Sequence, residues 1–240
     1  MRGISLFWED AYTENETAVI KKIIPNEGII LEKTLFYPTS GGQPCDIGLI
    51  KFDKQVTRIL QVRKFEDQDI LLVPEVFPDN LMVGKSGVQE INWELRYMHM
   101  RMHTALHLLS VVIPLPVTGG QIGATKSRLD FSMPEPVEDK QRIEDEVNSL
   151  IQQDLDVEQL WIKETELDQN LNLVKTMSVS PPRGRGDIRL IKIFSPESQI
   201  DLQPCGGTHV KSTIEIGKIT VGKIENKGKN NRRVNIHFSQ

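Results

Sequence analysis

Most of the chain's metal-binding chemistry lies in two short tracts. His99, His103 and His107 recur every fourth residue in WELRYMHMRMHTALHLLSVV. If that tract is helical, residues four apart share a face, and either neighbouring pair can grip one metal ion. His99 and His107 would stand about 12 Å apart along the axis at 1.5 Å per residue, too far to share an ion. Spacing alone does not choose between His99/His103 and His103/His107, and a hydrogen-bonded or surface pair is the plain alternative. Far along the chain stands Pro204-Cys205-Gly206-Gly207-Thr208-His209. Thiolate and imidazole both ligate zinc strongly, and a Gly-Gly turn lets the backbone bring them round one centre. Three of the five histidines and one of the two cysteines thus sit in compact i,i+4 pairs, a concentration that points to one zinc ion.

Two kinds of element must position these groups. Residues 1 to about 90 read as β-rich, with short β-branched or aliphatic segments at 17–24, 28–31, 57–62 and 69–73. Turn-forming clusters such as Pro38-Thr39-Ser40-Gly41-Gly42 and Pro78-Asp79-Asn80 separate them, the texture of a small barrel or sandwich. Near residue 90 the pattern changes. Asn92 is a plausible N-cap for the histidine helix, which Pro114 and Pro116 end. A second helix reads from 135 to 155, with Val137, Ile143, Val147, Leu150, Ile151 and Leu155 on one stripe. Strands follow at 157–162, 188–194, 218–224 and 233–238; Val234, Ile236 and Phe238 alternate with polar neighbours as in a half-buried strand. Two helices and several strands without a βαβ rhythm predict an α+β fold. The expected division is a small N-terminal β-barrel over 1–90 and an α+β domain with an antiparallel sheet over 91–240.

The bulk properties restrict the function. At 240 residues, 38% hydrophobic and 26% charged, the composition is that of a globular protein. No apolar run approaches the ~20 residues that span a bilayer, and the N-terminus lacks a signal-peptide core, so no membrane association and a cytoplasmic location are expected. Cys45 and Cys205 are too few for a disulfide scaffold. A net charge of −4 excludes coating nucleic acid by bulk attraction but leaves room for one basic face, because charge acts locally at physiological salt. Candidates are Lys126 and Arg128, then Arg183, Arg185 and Arg189, then the tract 218–233.

HTALH followed by CGGTH is similar to the paired signature of the AlaX proteins and of the editing domain of alanyl-tRNA synthetases. FYPTSGGQPCDIG (36–48), GGQIGATKSRLDF (119–131), RGRGDIRLIKI (183–193) and THVKSTIEIGKITVGKIENKGKNNRRV (208–234) also match in type and order. The resemblance therefore covers nearly the whole chain, and the first domain makes it look like the medium-length type. It implies that His103, His107, Cys205 and His209 hold one Zn²⁺, with His99 a neighbour. It implies a free-standing deacylase that removes serine, with glycine as the alternative, from mischarged tRNA-Ala, with no stable protein partner.

Around that ligand set, Gln121 matches the family's glutamine beside the substrate pocket. Thr104 or Thr208 offers a hydroxyl for recognising serine, since a polar pocket discriminates a hydroxyl well. Leu106 stands where some relatives carry threonine. Asp201 is placed to orient a ligand histidine. Arg128, Gly206, Gly207, Gly41, Gly42 and Gln43 complete the expected substrate-binding set. Gly41-Gly42-Gln43 is shared in type with translation termination factors, but here it lies in a turn of the first domain, and a role at the junction of the domains is the preferred reading. Four protein ligands fill a tetrahedral zinc site, so a closed, non-catalytic RNA-binding module is one rival. An editor of another tRNA is a second. A zinc peptidase is disfavoured, because HTALH lacks the glutamate of HExxH.

Overall fold

The computed structural model describes residues 4–135, 139–169 and 187–239. It divides into two compact units: Met1–Ser40 with Pro44–Tyr97, and Gly41–Gln43 with Met98–Gln240. Val137, Arg183 and Arg185 lie outside the described residues.

The first unit carries β1 (Ile4–Ser5), α1 (Leu6–Glu9), β2 (Asn15–Ile24), β3 (Gly28–Leu31), β4 (Lys33–Thr34), β5 (Gly48–Phe52), β6 (Gln55–Lys64), β7 (Ile70–Pro74) and β8 (Ser86–Ile91). Six of these strands close a barrel in the order β2-β3-β7-β6-β5-β8. Closure removes the exposed edges that a small open sheet would leave. Its interior is filled by Ala18, Ile20, Ile29, Leu31, Ile50, Phe52, Ile59, Val62 and Leu72. The sequence marked β2, β3, β6 and β7; it missed β5 and β8, whose glycines and charges dilute the apolar pattern.

Asn92 caps α2 (Trp93–Val112), its Oδ1 accepting from Leu95 N at 3.0 Å. From Met100 to Leu109 nearly every side chain is buried, which explains why polar groups on this stretch need internal partners.

The remaining elements are β9 (Val117–Gln121), β10 (Lys126–Ser132), α3 (Lys140–Gln152), β11 (Asp156–Lys163), α4 (Glu164–Gln169), β12 (Asp187–Phe194), β13 (Gln199–Pro204), β14 (Ile219–Asn226) and β15 (Asn231–Phe238). They form two antiparallel sheets, β14-β15-β10-β9 and β11-β12-β13. The fold is α+β as expected, with two short helices, α1 and α4, beyond the two that periodicity marks. Asp139 caps α3, accepting from Arg142 N, so this helix starts five residues later than the 135 read from the sequence. Ile143, Val147 and Ile151 bury its inner face, each contributing about 1.5–3 kcal/mol. Asn148 of α3 exchanges two hydrogen bonds with the backbone of Ile219 at 2.8 and 3.0 Å, and Glu144 accepts from Val221 N at 2.8 Å. These bonds satisfy the outer edge of β14. On α2, the Arg101 guanidinium lies 4.2 Å from the ring centroid of Phe238 in β15. Among the described residues, no helix is long and apolar enough to cross a membrane.

Candidate metal centre

His103 and His107 stand one turn apart on α2, and Cys205 and His209 lie in the loop after β13. One ligand atom from each of the four falls within 4.8 Å of the others. Cys205 Sγ is 3.4 Å from His103 Nε2 and 3.2 Å from His209 Nε2. A tetrahedral ion with Zn–N of 2.0–2.1 Å and Zn–S near 2.3 Å would hold its donors roughly 3.3–3.6 Å apart. Donor types and spacing therefore fit zinc. His99 is buried and is not one of this cluster, so it is not the surface group that the sequence allowed.

Each imidazole is turned by a different acceptor on its far nitrogen. For His107 it is Asp201, whose Oδ2 accepts from Nδ1 at 3.0 Å. The carboxylate is itself anchored by Gln203 Nε2 at 2.7 Å. His103 Nδ1 lies 2.9 Å from Gln43 Oε1. That same oxygen accepts from Thr208 N at 3.1 Å, and Gln43 Nε2 donates to Thr208 Oγ1 at 2.9 Å. A backbone N–H can only donate, so the atom facing it is the amide oxygen, and His103 Nδ1 must be the donor. Thr104 serves His209. Its hydroxyl donates to Met100 O at 3.0 Å, which leaves its lone pairs for His209 Nδ1 at 3.1 Å and Val210 N at 3.3 Å. All three rings are thus protonated on Nδ1 and present Nε2 to the thiol. Such outer bonds fix the tautomer and orientation that a metal ligand needs.

The electrostatics follow from the crowding. Burial opposes a charged His107, yet Asp201 and the neighbouring Cys205 outweigh it and push the group up to about 9. Burial also opposes a Cys205 thiolate, but the His103 and His209 rings draw the thiol well below its ordinary range. Burial and His103 together push His209 well below the usual imidazole range. Both shifts favour the deprotonated forms of Cys205 and His209 that bind metal, whereas the shift of His107 favours its protonated form.

The loop of Cys205 is held from beneath by Arg189, which sequence reading placed in a basic surface patch. Arg189 is buried. Its Nη1 donates to Cys205 O at 2.9 Å and Gly207 O at 2.8 Å, and its Nε to Gln159 at 2.8 Å. An arginine inside the apolar run IRLIKI was the available signal. Gly207 is required for space: a Cβ there would lie 2.2 Å from His103 Cε1 and 2.7 Å from Gln43 Oε1. Gly206 faces open space.

Gly41 and Gly42 repeat that pairing. Gly41 faces open space, while a Cβ on Gly42, at φ +83°, would lie 2.9 Å from Gly120 O. Ile122 N donates to Gly42 O at 2.9 Å, so the tripeptide lies along the free edge of β9 and delivers Gln43 to His103. Thr104 and Thr208 are fully buried, with Thr104 committed to His209 rather than left for a substrate hydroxyl. Gln121 is exposed at the end of β9 and accepts from Arg128 Nε at 3.3 Å. Neither belongs to the four-residue cluster.

Residues 186–235 match the family model described as threonyl and alanyl tRNA synthetase second additional domain, and residues 8–95 match that of class II (A) tRNA synthetases. The chain is 34% identical over 238 residues to the alanyl-tRNA editing protein AlaX-M of Methanosarcina barkeri, covering 96% of both. Against AlaX-M of Methanosarcina acetivorans it is 34% identical over 242 residues, covering 95% of this chain and 96% of the relative. It is also 34% identical to the alanine–tRNA ligase of Pyrobaculum neutrophilum, covering 93% of this chain and 25% of the ligase. A full-length match at this identity, over a chain that assembles the HTALH and CGGTH tracts into one cluster, shows that the chain belongs to the AlaX family of alanyl-tRNA editing proteins, in its AlaX-M form.

Proposed function

We propose that the protein is a zinc-dependent aminoacyl-tRNA deacylase that removes serine, with glycine as the alternative, from mischarged tRNA-Ala in the cytoplasm. The observation that carries this reading is the convergence of four ligand residues, three of them imidazoles whose far nitrogens are already hydrogen-bonded, in a member of an editing family. His103, His107, Cys205 and His209 would hold the ion, and bound there it would act as a Lewis acid toward the ester carbonyl or a water. An aminoacyl ester is activated already, so orientation and charge stabilisation suffice without a covalent nucleophile. Gln43, Asp201 and Thr104 would act by holding the three imidazoles. Gly41 and Gly206, which face open space, would admit the substrate, with Gln121, Arg128 and Thr208 contributing to its binding. Residues 1–90 are taken as the barrel domain and 91–240 as the deacylase domain.

The test is release of serine from Ser-tRNA-Ala by metal-loaded protein, with Ala-tRNA-Ala spared. Folded, loaded protein that leaves every mischarged alanine tRNA intact refutes the reading. A panel of other mischarged tRNAs addresses an editor of different specificity, which the threonyl component of the matched family description makes a relevant control. One observation favours a second reading: four protein donors complete a tetrahedral site, the mark of a structural zinc. A non-catalytic RNA-binding module would bind tRNA without turnover and unfold on chelation.

A further inference from the structure

The sheet β14-β15-β10-β9 has one apolar face and one polar face. α2 meets the apolar one where Arg101 stacks on Phe238, and α3 borders the sheet along β14. The polar face joins two basic tracts that are distant in sequence. In register, Arg128 lies between Gln121 and Asn235, Asp130 between Gly119 and Arg233, and Lys126 beside His237.

At its centre two guanidiniums share one carboxylate. Arg128 Nη1 donates to Asp130 Oδ2 at 2.7 Å, and Arg233 donates to both oxygens at 2.8 and 2.9 Å. Burial works against the Asp130 carboxylate, but the two arginines outweigh it and hold it below the ordinary range. Arg128 also donates from Nε to Gln121. Arg128 Nη2 and Arg233 Nη1 have no partner among the described residues, and both side chains remain 24% exposed. Gly119 keeps the neighbouring strand bare: a Cβ there would lie 3.5 Å from Asp130 Oδ2. Lys126 is exposed. Glu225, next to Arg233 in register, is paired with Lys227 at 2.7 Å. Lys126, Arg128, Arg233 and Lys227 against Asp130 and Glu225 leave two positive charges unbalanced in a chain of net charge −4.

We infer that this face binds the phosphodiester backbone of the tRNA acceptor stem, with the free amino groups of Arg128 and Arg233, positioned by Asp130, and the ammonium of Lys126 as its contacts. The inference rests on the deacylase reading for its partner. A guanidinium fixed by a carboxylate loses little side-chain freedom on meeting a phosphate, and its remaining fork suits that oxygen geometry. The direction is also right. Arg128 is followed across the sheet by Gln121, then by Gly42 at the edge of β9, about two interstrand spacings of 4.8 Å away. Gln43 then holds His103. A strand lying on the arginines is led toward the cluster of Cys205.

The test is fluorescence anisotropy of deacylated tRNA-Ala, and of an acceptor-stem hairpin, against protein across a potassium chloride series. Arg233→Gln and Lys126→Gln are each expected to weaken binding about 3- to 10-fold and to reduce the salt slope by about 0.7–0.9, one phosphate contact apiece. Arg233→Lys should recover part of the loss, and Lys140→Gln, on the helical side, should change nothing. If Arg233→Gln melts early or loses metal, the exposed Lys126→Gln carries the test. Unchanged affinity and slope in both variants, or a loss seen with an anticodon hairpin but not with the acceptor hairpin, overturns the proposal. The serine-release assay reads separately: turnover with no dependence on these residues sinks the docking surface alone, and salt-dependent binding through them without turnover sinks the deacylase alone.

Discussion

The molecule buries ionisable groups in two places and treats them in opposite ways. In the barrel unit, Arg96 and Asp46 are buried and ion-paired. Arg96 Nε donates to Asp46 Oδ1 at 2.8 Å, and its other nitrogens reach Leu35 O and Ala11 O. Asp46 in turn accepts from Tyr37 N. That network closes on itself. In the second unit, the bonds of His103, His107 and His209 are spent on the outer side, and their inner nitrogens converge on a thiol. That network leaves four ligand atoms facing one point, an arrangement that a cation would complete. Two buried polar clusters with similar burial thus differ in whether their donors and acceptors balance, and the imbalance marks the functional one.

The largest expected effect is at the open network. Cys205→Ala should lose zinc from the purified protein, read by metal analysis, with deacylation abolished. Zinc retained at one per chain would remove the thiolate from the site. At the closed network, Arg96→Leu strands a buried carboxylate and should cost about 3–5 kcal/mol in a denaturant titration; a cost under ~1 kcal/mol would show that the pair is not truly buried. Gly207→Ala should displace His103 and cut zinc affinity in a chelator competition. Gly206→Ala should leave it within about twofold, and equal effects would contradict the packing. Asp201→Asn should weaken zinc by the roughly 10- to 100-fold typical of a lost outer partner.

The smallest effect is graded with pH. His107 in the metal-free protein is raised to about 9 from 6.5, so its stabilising charge is fully present below about 6.5 and is lost as pH rises through 9. Zinc must displace that proton, so zinc affinity should move the other way, rising up to about tenfold per unit until pH 9. Calorimetry in buffers of different ionisation enthalpy would count the proton; none released at pH 7 would mean that His107 is neutral there.

Local physics made much of this readable. Asn92 and Pro114 bracket α2, and β3 appears as a bare apolar run. Residue types narrowed the ligands to two helical pairs plus Cys205 and His209, and family resemblance chose among them. What stayed hidden depended on pairing across the chain. Gln43 lies 60 residues from the ring it holds, and nothing local in PTSGGQP distinguishes a turn from an imidazole partner. Arg189 looked like a surface cation because its partners are backbone carbonyls, which leave no trace in composition. Thr104 looked like a recognition hydroxyl, but a helical threonine can send its proton to the carbonyl four residues back.

The two turns of α2 that carry Met100, His103, Thr104 and His107 also limit how this chain can change in length. Each residue added or removed between Met100 and His107 rotates everything beyond it by about 100°, swinging one imidazole off the centre and parting the threonine hydroxyl from its carbonyl. Insertions and deletions should therefore be barred from these two turns and accumulate elsewhere, at exposed tips such as the one after β14.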